Sequence, residues 1–255
     1  MNQYVKNLNR IEFVVTLACT GRCKHCSEGE HSGAGEHIDA EAAAALVRDV
    51  AGKYDITSVM TFGGEPLLYP ETVYAVHTAA REMNIPKRQL ITNGFFSKDQ
   101  AKIKATARKL IQCGVNDICI SADAFHQETI PLEPVKAFAM ELKRQEIRLC
   151  VHPAWLVGRE HDNPYNRRTI EIMEVFEAMG IRQSDGNVIF PSGNALKYLS
   201  EYFDGNKSYT SPYEEEPMDI QAICVNPNGD LLGENIYNTN ILDLLERYRP
   251  DVRMA

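Results

Sequence analysis

The chain has 255 residues, 44% hydrophobic and 24% charged, which is enough for one large domain and a small appendage. Its net charge of −8 argues against a nucleic-acid partner, because such proteins usually present a basic face. The chain lacks an apolar run long enough to span a membrane, and its start lacks the apolar core of a signal peptide. We therefore expect a cytoplasmic protein without a membrane partner, with reduced cysteines that serve metals or catalysis where they cluster.

Apolar, β-branched segments alternate with helical patterns over the first 190 residues. Strands are predicted at residues 11–18, 58–62, 89–93, 117–121, 147–153 and 187–190. Helices are predicted at residues 39–54, 70–83, 98–112, 134–144 and 163–179. This alternation is typical of a parallel α/β sheet, and six strand–helix units predict a curved, partial (β/α)6 barrel.

The pattern changes after residue 190. Residues 184–217 are polar and rich in turn formers. Residues 222–238 are expected to form a β-hairpin with its turn at 226–229, followed by a short helix at 241–248. We therefore predict a barrel domain of residues 1–190 and a C-terminal extension of residues 191–255.

The segment CTGRCKHC places Cys19, Cys23 and Cys26 in the loop after the first strand. Loops at the carboxyl ends of parallel strands build active sites, so the three thiols lie at the functional rim. Three cysteines can bind three irons of a [4Fe–4S] cluster and leave the fourth iron open. On the spacing alone, a zinc site completed by His25 or His31, or three free thiols, are the alternatives.

Polar and glycine-rich motifs also follow the later strands. In TFGGEPLLYP, Gly63 and Gly64 allow close backbone approach, and Glu65 offers an acceptor for a cationic amino group. ITNGFF follows the third strand, SADAFHQE the fourth, and VHPAW ends the fifth. His126 and His152 are the candidate catalytic residues, while a surface or capping role is the alternative for His126. Taken singly, the glycine and TNG segments are also typical of ordinary turns.

In this order, CTGRCKHC, GGEP and TNG resemble the motifs of the radical S-adenosylmethionine (radical SAM) family. The resemblance implies that Cys19, Cys23 and Cys26 bind one [4Fe–4S] cluster whose open iron is chelated by SAM. A one-electron reductant such as flavodoxin or ferredoxin then drives cleavage of SAM to a 5′-deoxyadenosyl radical, which abstracts hydrogen from a substrate. His25 stands where the family often has an aromatic residue. The resemblance also places SAM against Gly63, Gly64, Glu65, Pro66, Thr92, Asn93, Ser121 and Asp123.

The C-terminal extension resembles the SPASM or Twitch extensions of some radical SAM enzymes. The Gly-x-Ala turn in FPSGNALKY and the segment CVNPNGDLLGENIYN carry this likeness. Cys224 is the one cysteine present, so we predict no auxiliary cluster. The extension favours a peptide or protein side chain as the substrate. A small-molecule substrate, activation of a glycyl-radical enzyme, and a non-enzymatic zinc or redox sensor are the alternatives.

Overall fold

The computed structural model describes residues 2–30, 35–204 and 215–250. Its strands are β1 (Arg10–Val14), β2 (Ser58–Phe62), β3 (Lys87–Thr92), β4 (Asp117–Ser121), β5 (Arg148–His152), β6 (Ala154–Trp155), β7 (Arg182–Gln183), β8 (Asn187–Val188), β9 (Ala222–Val225), β10 (Asp230–Leu231) and β11 (Glu234–Asn235). Its α-helices are α1 (Ala40–Lys53), α2 (Pro70–Glu82), α3 (Gln100–Cys113), α4 (Ala124–Gln127), α5 (Leu132–Lys143), α6 (Pro164–Ala178), α7 (Gly193–Tyr198) and α8 (Ile241–Arg247).

A parallel sheet of seven strands forms the centre of the fold, in the order β7-β5-β4-β3-β2-β1-β9. Within the described ranges its two edge strands do not pair with each other, so the barrel is partial. This confirms the predicted α/β class and the predicted partial barrel. The helices begin and end largely where the sequence indicates: the Asp39 carboxylate caps α1 by accepting from the Ala42 N–H, and α3 ends at Gly114.

Side chains alternate between the two faces of the sheet. Ile11, Phe13, Ile118 and Ile120 are fully buried in the core that the helices cover. The opposite, concave face has both polar and apolar side chains, which range from buried to partly exposed. We call the space on this side the chamber; the side chains on its wall include Glu12, Met60, Gln89, Cys119 and Cys150.

Two predictions on single elements are wrong. The sixth strand of the sheet is β7, not residues 187–190, because the chain leaves the sheet after Gln183 and β8 pairs with β6 in a separate sheet. The expected hairpin at 222–238 is shorter: only β10 and β11 form one, and β9 pairs in parallel with β1. Residues 222–225 thus belong to the main sheet, and the division of the chain at residue 190 stays a prediction.

Within the described ranges, every helix is too short or too polar to cross a bilayer.

Candidate active site

The cysteine loop, residues 15–30, follows β1 and is held by the loop after β2. The Gly64 N–H donates to the Thr16 carbonyl at 2.7 Å, and the Glu65 N–H donates to the Ala18 carbonyl at 2.8 Å. A Cβ atom at Gly64 would collide with the Ala18 carbonyl oxygen. The glycines of GGEP thus allow two backbone segments to meet, and this contact sets the position of the cysteine loop.

Cys19, Cys23 and Cys26 are reduced cysteines, all within this loop. A turn brings the last two together, because the Cys26 N–H donates to the Cys23 carbonyl at 3.2 Å. Burial raises the pKa of all three thiols, that of Cys19 to about 11. The other two cysteines further raise the pKa of Cys23, so the thiols are close enough to repel as thiolates. A bound cation offsets both the unfavourable burial of the thiolates and their mutual repulsion. Three thiolates are suitable ligands for the iron of an iron–sulfur cluster.

The start of α7 holds the cysteine loop from the other side. The Asn194 backbone N–H donates to the Cys26 carbonyl at 2.9 Å, and its side-chain amide donates to the Cys23 carbonyl at 3.1 Å. Gly193 packs so closely on Cys26 and Ser27 that a Cβ atom would collide with both carbonyl oxygens. Residues 193–194 therefore fix the backbone that carries two of the three thiols.

Glu65 connects the loops after β2 and β3. Its fully buried carboxylate accepts hydrogen bonds from the Leu67 N–H at 2.9 Å, the Thr92 hydroxyl at 2.8 Å and the Asn93 N–H at 2.9 Å. Burial raises its pKa to about 7, against the effect of these hydrogen bonds. The Asn93 side-chain amide in turn lies 3.5 Å from the Cys19 sulfur. Glu65 thus positions a residue that touches the cysteine cluster.

Asp123 organises the loop after β4. Its buried carboxylate accepts from the backbone N–H groups of Phe125, His126 and Ala154, and its Oδ2 lies 2.8 Å from Nδ1 of His126. Burial alone would raise the pKa of Asp123, but His126 and His25 hold it well below its usual range. The His126 ring lies against that of His25, with centroids 4.8 Å apart. Asp123 therefore caps α4 and orients His126 beside the cysteine loop.

A histidine-assisted metal site is geometrically possible in the same place. Ligand atoms of Cys23, His25 and His126 lie within 4.8 Å of one another. Nδ1 of His25 is buried without a hydrogen-bond partner in the described structure, and burial lowers the pKa of this histidine to about 4. A zinc ion bound there would use only one of the three cysteines. His31, the other predicted zinc ligand, lies outside the described residues.

The other predicted site residues lie on the same rim. Ser121 and His152 are opposite each other at the ends of β4 and β5. His152 is partly buried, and its Nδ1 lies 2.7 Å from the Ser184 hydroxyl. Pro66 is buried at the start of a short 3-10 turn. The sequence did not identify Asn194 as a site residue, although Asn194 lies in the Gly-x-Ala segment that resembles part of the SPASM or Twitch extensions.

Comparisons with known proteins agree with this geometry. Residues 13–191 match the family model described as "Radical SAM superfamily". A "Probable GTP 3′,8-cyclase" of Saccharolobus islandicus is 30% identical over 219 residues, which cover 80% of this chain and 67% of that protein. Among solved structures, Streptococcus suis SuiB bound to S-adenosylmethionine has a TM-score of 0.67 at 14% identity, over 97% of this chain and 68% of SuiB. AnSMEcpe with bound AdoMet has a TM-score of 0.58 at 14% identity, over 94% of this chain and 80% of that one. At these identities, the structural matches show the fold alone.

Proposed function

Since the chain belongs to the radical SAM superfamily, we propose that Cys19, Cys23 and Cys26 bind its [4Fe–4S] cluster and that its substrate is a peptide or protein side chain. The chain is an enzyme, and the cofactors of its family are a [4Fe–4S] cluster and SAM. When bound, these cofactors supply a 5′-deoxyadenosyl radical that abstracts hydrogen from the substrate. The proposal assigns delivery of the electron to a flavodoxin or ferredoxin.

The preorganised cysteine loop carries the proposal. Its backbone is fixed by Gly64 and Glu65 on one side and by Asn194 on the other, so the segments that carry the thiols are positioned by contacts within the protein. A site held in this way loses little conformational entropy when it is loaded. A structural zinc loop would instead need a fourth ligand from the protein.

SAM is proposed to lie over the rim beside this loop, against the residues of the GGEP, TNG and SAD segments. The carboxylates of Glu65 and Asp123 are already taken up by protein hydrogen bonds, so their proposed role is to hold their neighbours in place. Asn93, beside Cys19, and Ser121 have polar side chains near the expected methionine and ribose. Gly63 and Pro66 shape the turn, and Thr92 bonds to Glu65.

The open chamber supports a large substrate. In the part of the chain that the structure describes, the sheet ends at β7 and β9 without closing. Several residues along the concave face are partly exposed, which suits a side chain presented on a peptide. We further propose that the extension resembles SPASM or Twitch extensions and carries no auxiliary cluster. The second candidate is a small-molecule substrate, favoured by the 30% identity to a protein named as a probable GTP 3′,8-cyclase. His126 and His152 are the proposed catalytic residues in either case.

Iron content and SAM cleavage test the cluster assignment. After anaerobic reconstitution with iron and sulfide, wild type is expected to bind about four irons per chain and to form 5′-deoxyadenosine with SAM and dithionite. Cys19→Ala, Cys23→Ala and Cys26→Ala should each lose the cluster and the product. Cys113→Ala, in the core away from this loop, should keep both. One zinc per chain and no SAM cleavage would overturn the proposal.

Substrate class needs a separate experiment. Basic peptides and GTP would be added in parallel to the reduced enzyme, and the yield of 5′-deoxyadenosine compared with the yield without substrate. Stimulation by peptide, with a mass change in the peptide, is the expected result. Stimulation by GTP alone would support the small-molecule candidate instead.

A further inference from the structure

Two cysteines outside the cysteine loop lie side by side on adjacent strands of the central sheet. Cys119 of β4 and Cys150 of β5 are direct neighbours in the parallel register. Both are free thiols, and their sulfur atoms lie 3.4 Å apart. The two sulfur atoms would have to move only slightly closer to form a disulfide bond. Neighbouring residues on adjacent strands already have their Cα atoms within the range that disulfides require.

This thiol pair faces the chamber. Ile118, Ile120 and Val151, the strand neighbours of the two cysteines, are fully buried in the core beneath the helices. Alternation along a strand therefore turns both thiols to the concave side. Cys119 comes two residues before Ser121, and Cys150 two residues before His152, so the pair lies roughly 6.6 Å below the rim. Cys150 is partly exposed and Cys119 is 7% exposed.

The two sulfurs differ in acidity. The hydrogen bond between them is the main cause that lowers the pKa of Cys150, to about 7, and raises the pKa of Cys119. Arg182 and Arg148 also lower the pKa of Cys150. The hydrogen bond thus favours the proton on Cys119 and makes Cys150 the more acidic sulfur, and the thiolate is the more reactive form of a cysteine sulfur.

We propose that Cys119 and Cys150 form a hydrogen-atom donor that quenches a carbon radical in the chamber. This role rests on the proposed function, which supplies the radical. The carbon radical takes hydrogen from the Cys119 thiol, so that a C–H bond forms, the S–H bond breaks and a thiyl radical is left. The thiyl radical then bonds to the Cys150 thiolate as a disulfide radical anion. Loss of one electron to an oxidised ferredoxin-type carrier gives the disulfide, and a dithiol reductant restores both thiols with two electrons and two protons.

Solvent deuterium tests this donor without a known substrate. Thiol hydrogens exchange with D2O, whereas carbon-bound hydrogens do not. The reconstituted enzyme would cleave SAM in D2O with dithionite and no substrate, and the 5′-deoxyadenosine would be analysed by mass spectrometry. Wild type and Cys113→Ala should yield the nucleoside with one added deuterium. Cys119→Ala should lose most of this label while keeping iron and native circular dichroism. Cys150→Ala keeps the donor thiol and should retain the label.

A second measurement follows the protein itself. With a limiting amount of reduced ferredoxin as the sole reductant in place of dithionite, each SAM cleavage leaves oxidised ferredoxin as the electron acceptor. Alkylation and digestion should then reveal a disulfide that joins the peptides of Cys119 and Cys150. Two alkylated thiols, or a deuterium label that persists in Cys119→Ala, would overturn the inference and leave the proposed function intact. Absence of 5′-deoxyadenosine from iron-loaded wild type would instead defeat the proposed function, and this inference with it.

Discussion

Gly64 shows how a single residue links two strand-end loops. Its missing side chain lets its N–H reach the Thr16 carbonyl, and the Ala18 carbonyl occupies the place of a Cβ atom. The sequence suggests that this glycine makes room for a ligand. In the folded protein, the group that needs the space is the cysteine loop itself.

Replacing Gly64 by alanine should disturb the cysteine loop. The new methyl group meets backbone that cannot move aside cheaply, so we expect a loss of about 1–3 kcal/mol in stability and a lower iron content. Gly52→Ala is the matched control, because Gly52 lies in α1 with open space around it and alanine favours a helix. Iron analysis and denaturant unfolding of both variants measure the difference. Equal iron content in the two variants would contradict this reading of Gly64.

Glu65 should make stability depend on pH. Its pKa is about 7 in the folded chain and 4.5 in the absence of burial, so folding favours its protonated form. The stabilisation from this group is complete below about pH 4.5 and is lost as the pH rises through 7. Between pH 5.5 and 7.5, wild type should lose roughly 2 kcal/mol relative to Glu65→Gln, whose side chain does not titrate. Parallel urea unfolding curves for the two proteins at each pH test this, and identical pH slopes would count against it.

At the scale of elements, periodicity and caps predict most of the fold. Asp39 before α1, Gly114 after α3 and Asn163–Pro164 at the start of α6 lie where the structure begins or ends these helices. The short helix α8 was predicted at residues 241–248, but the short elements β7 and α4 were not. β7 has two residues and α4 has four, so each is set by contacts with distant segments and carries no period of its own.

The candidate active site was also only partly predictable from the sequence. Motif order placed the cysteine, GGEP and TNG segments on one rim, because the carboxyl ends of parallel strands meet there. The hydrogen bonds that occupy Glu65 and Asp123 could not be foreseen, since they depend on side chains and backbone from other strands. Asn194 was missed because it is 171 residues from Cys23 in sequence.

The α7 segment should determine how firmly the cysteine loop holds iron. Asn194→Ala removes one of the two donors to the Cys23 carbonyl and leaves it with the 3.2 Å bond from the Cys26 N–H, at a cost of about 0.5–1.5 kcal/mol. We expect a faster loss of cluster absorbance in an iron chelator. Leu196→Ala, in the same helix at a residue that is 55% exposed, is the control and should match wild type. Equal decay of all three proteins would show that α7 does not hold the loop.

At the scale of the whole molecule, the C-terminal segment is part of the main core. β9 pairs with the edge of β1, and Ile223, Val225, Leu244 and Leu245 are buried in the same cluster as the helices of the barrel. The N-terminus joins this contact, because the Asn2 amide donates to the carbonyls of Leu245 and Tyr248 at the end of α8. A common core predicts that the described segments unfold together.

Ile223→Ala tests this coupling at the β9 edge. The removed side chain is fully buried between β1 and the C-terminal segment, so we expect a loss of about 2–4 kcal/mol in global stability. Because one core is shared, circular dichroism and the iron–sulfur absorbance should both report the same lowered unfolding midpoint. Met218→Ala, at a side chain that is 53% exposed, should leave the midpoint unchanged. If Ile223→Ala lowers only one of two separate transitions, residues 191–255 form an independent domain and the predicted division at residue 190 is correct.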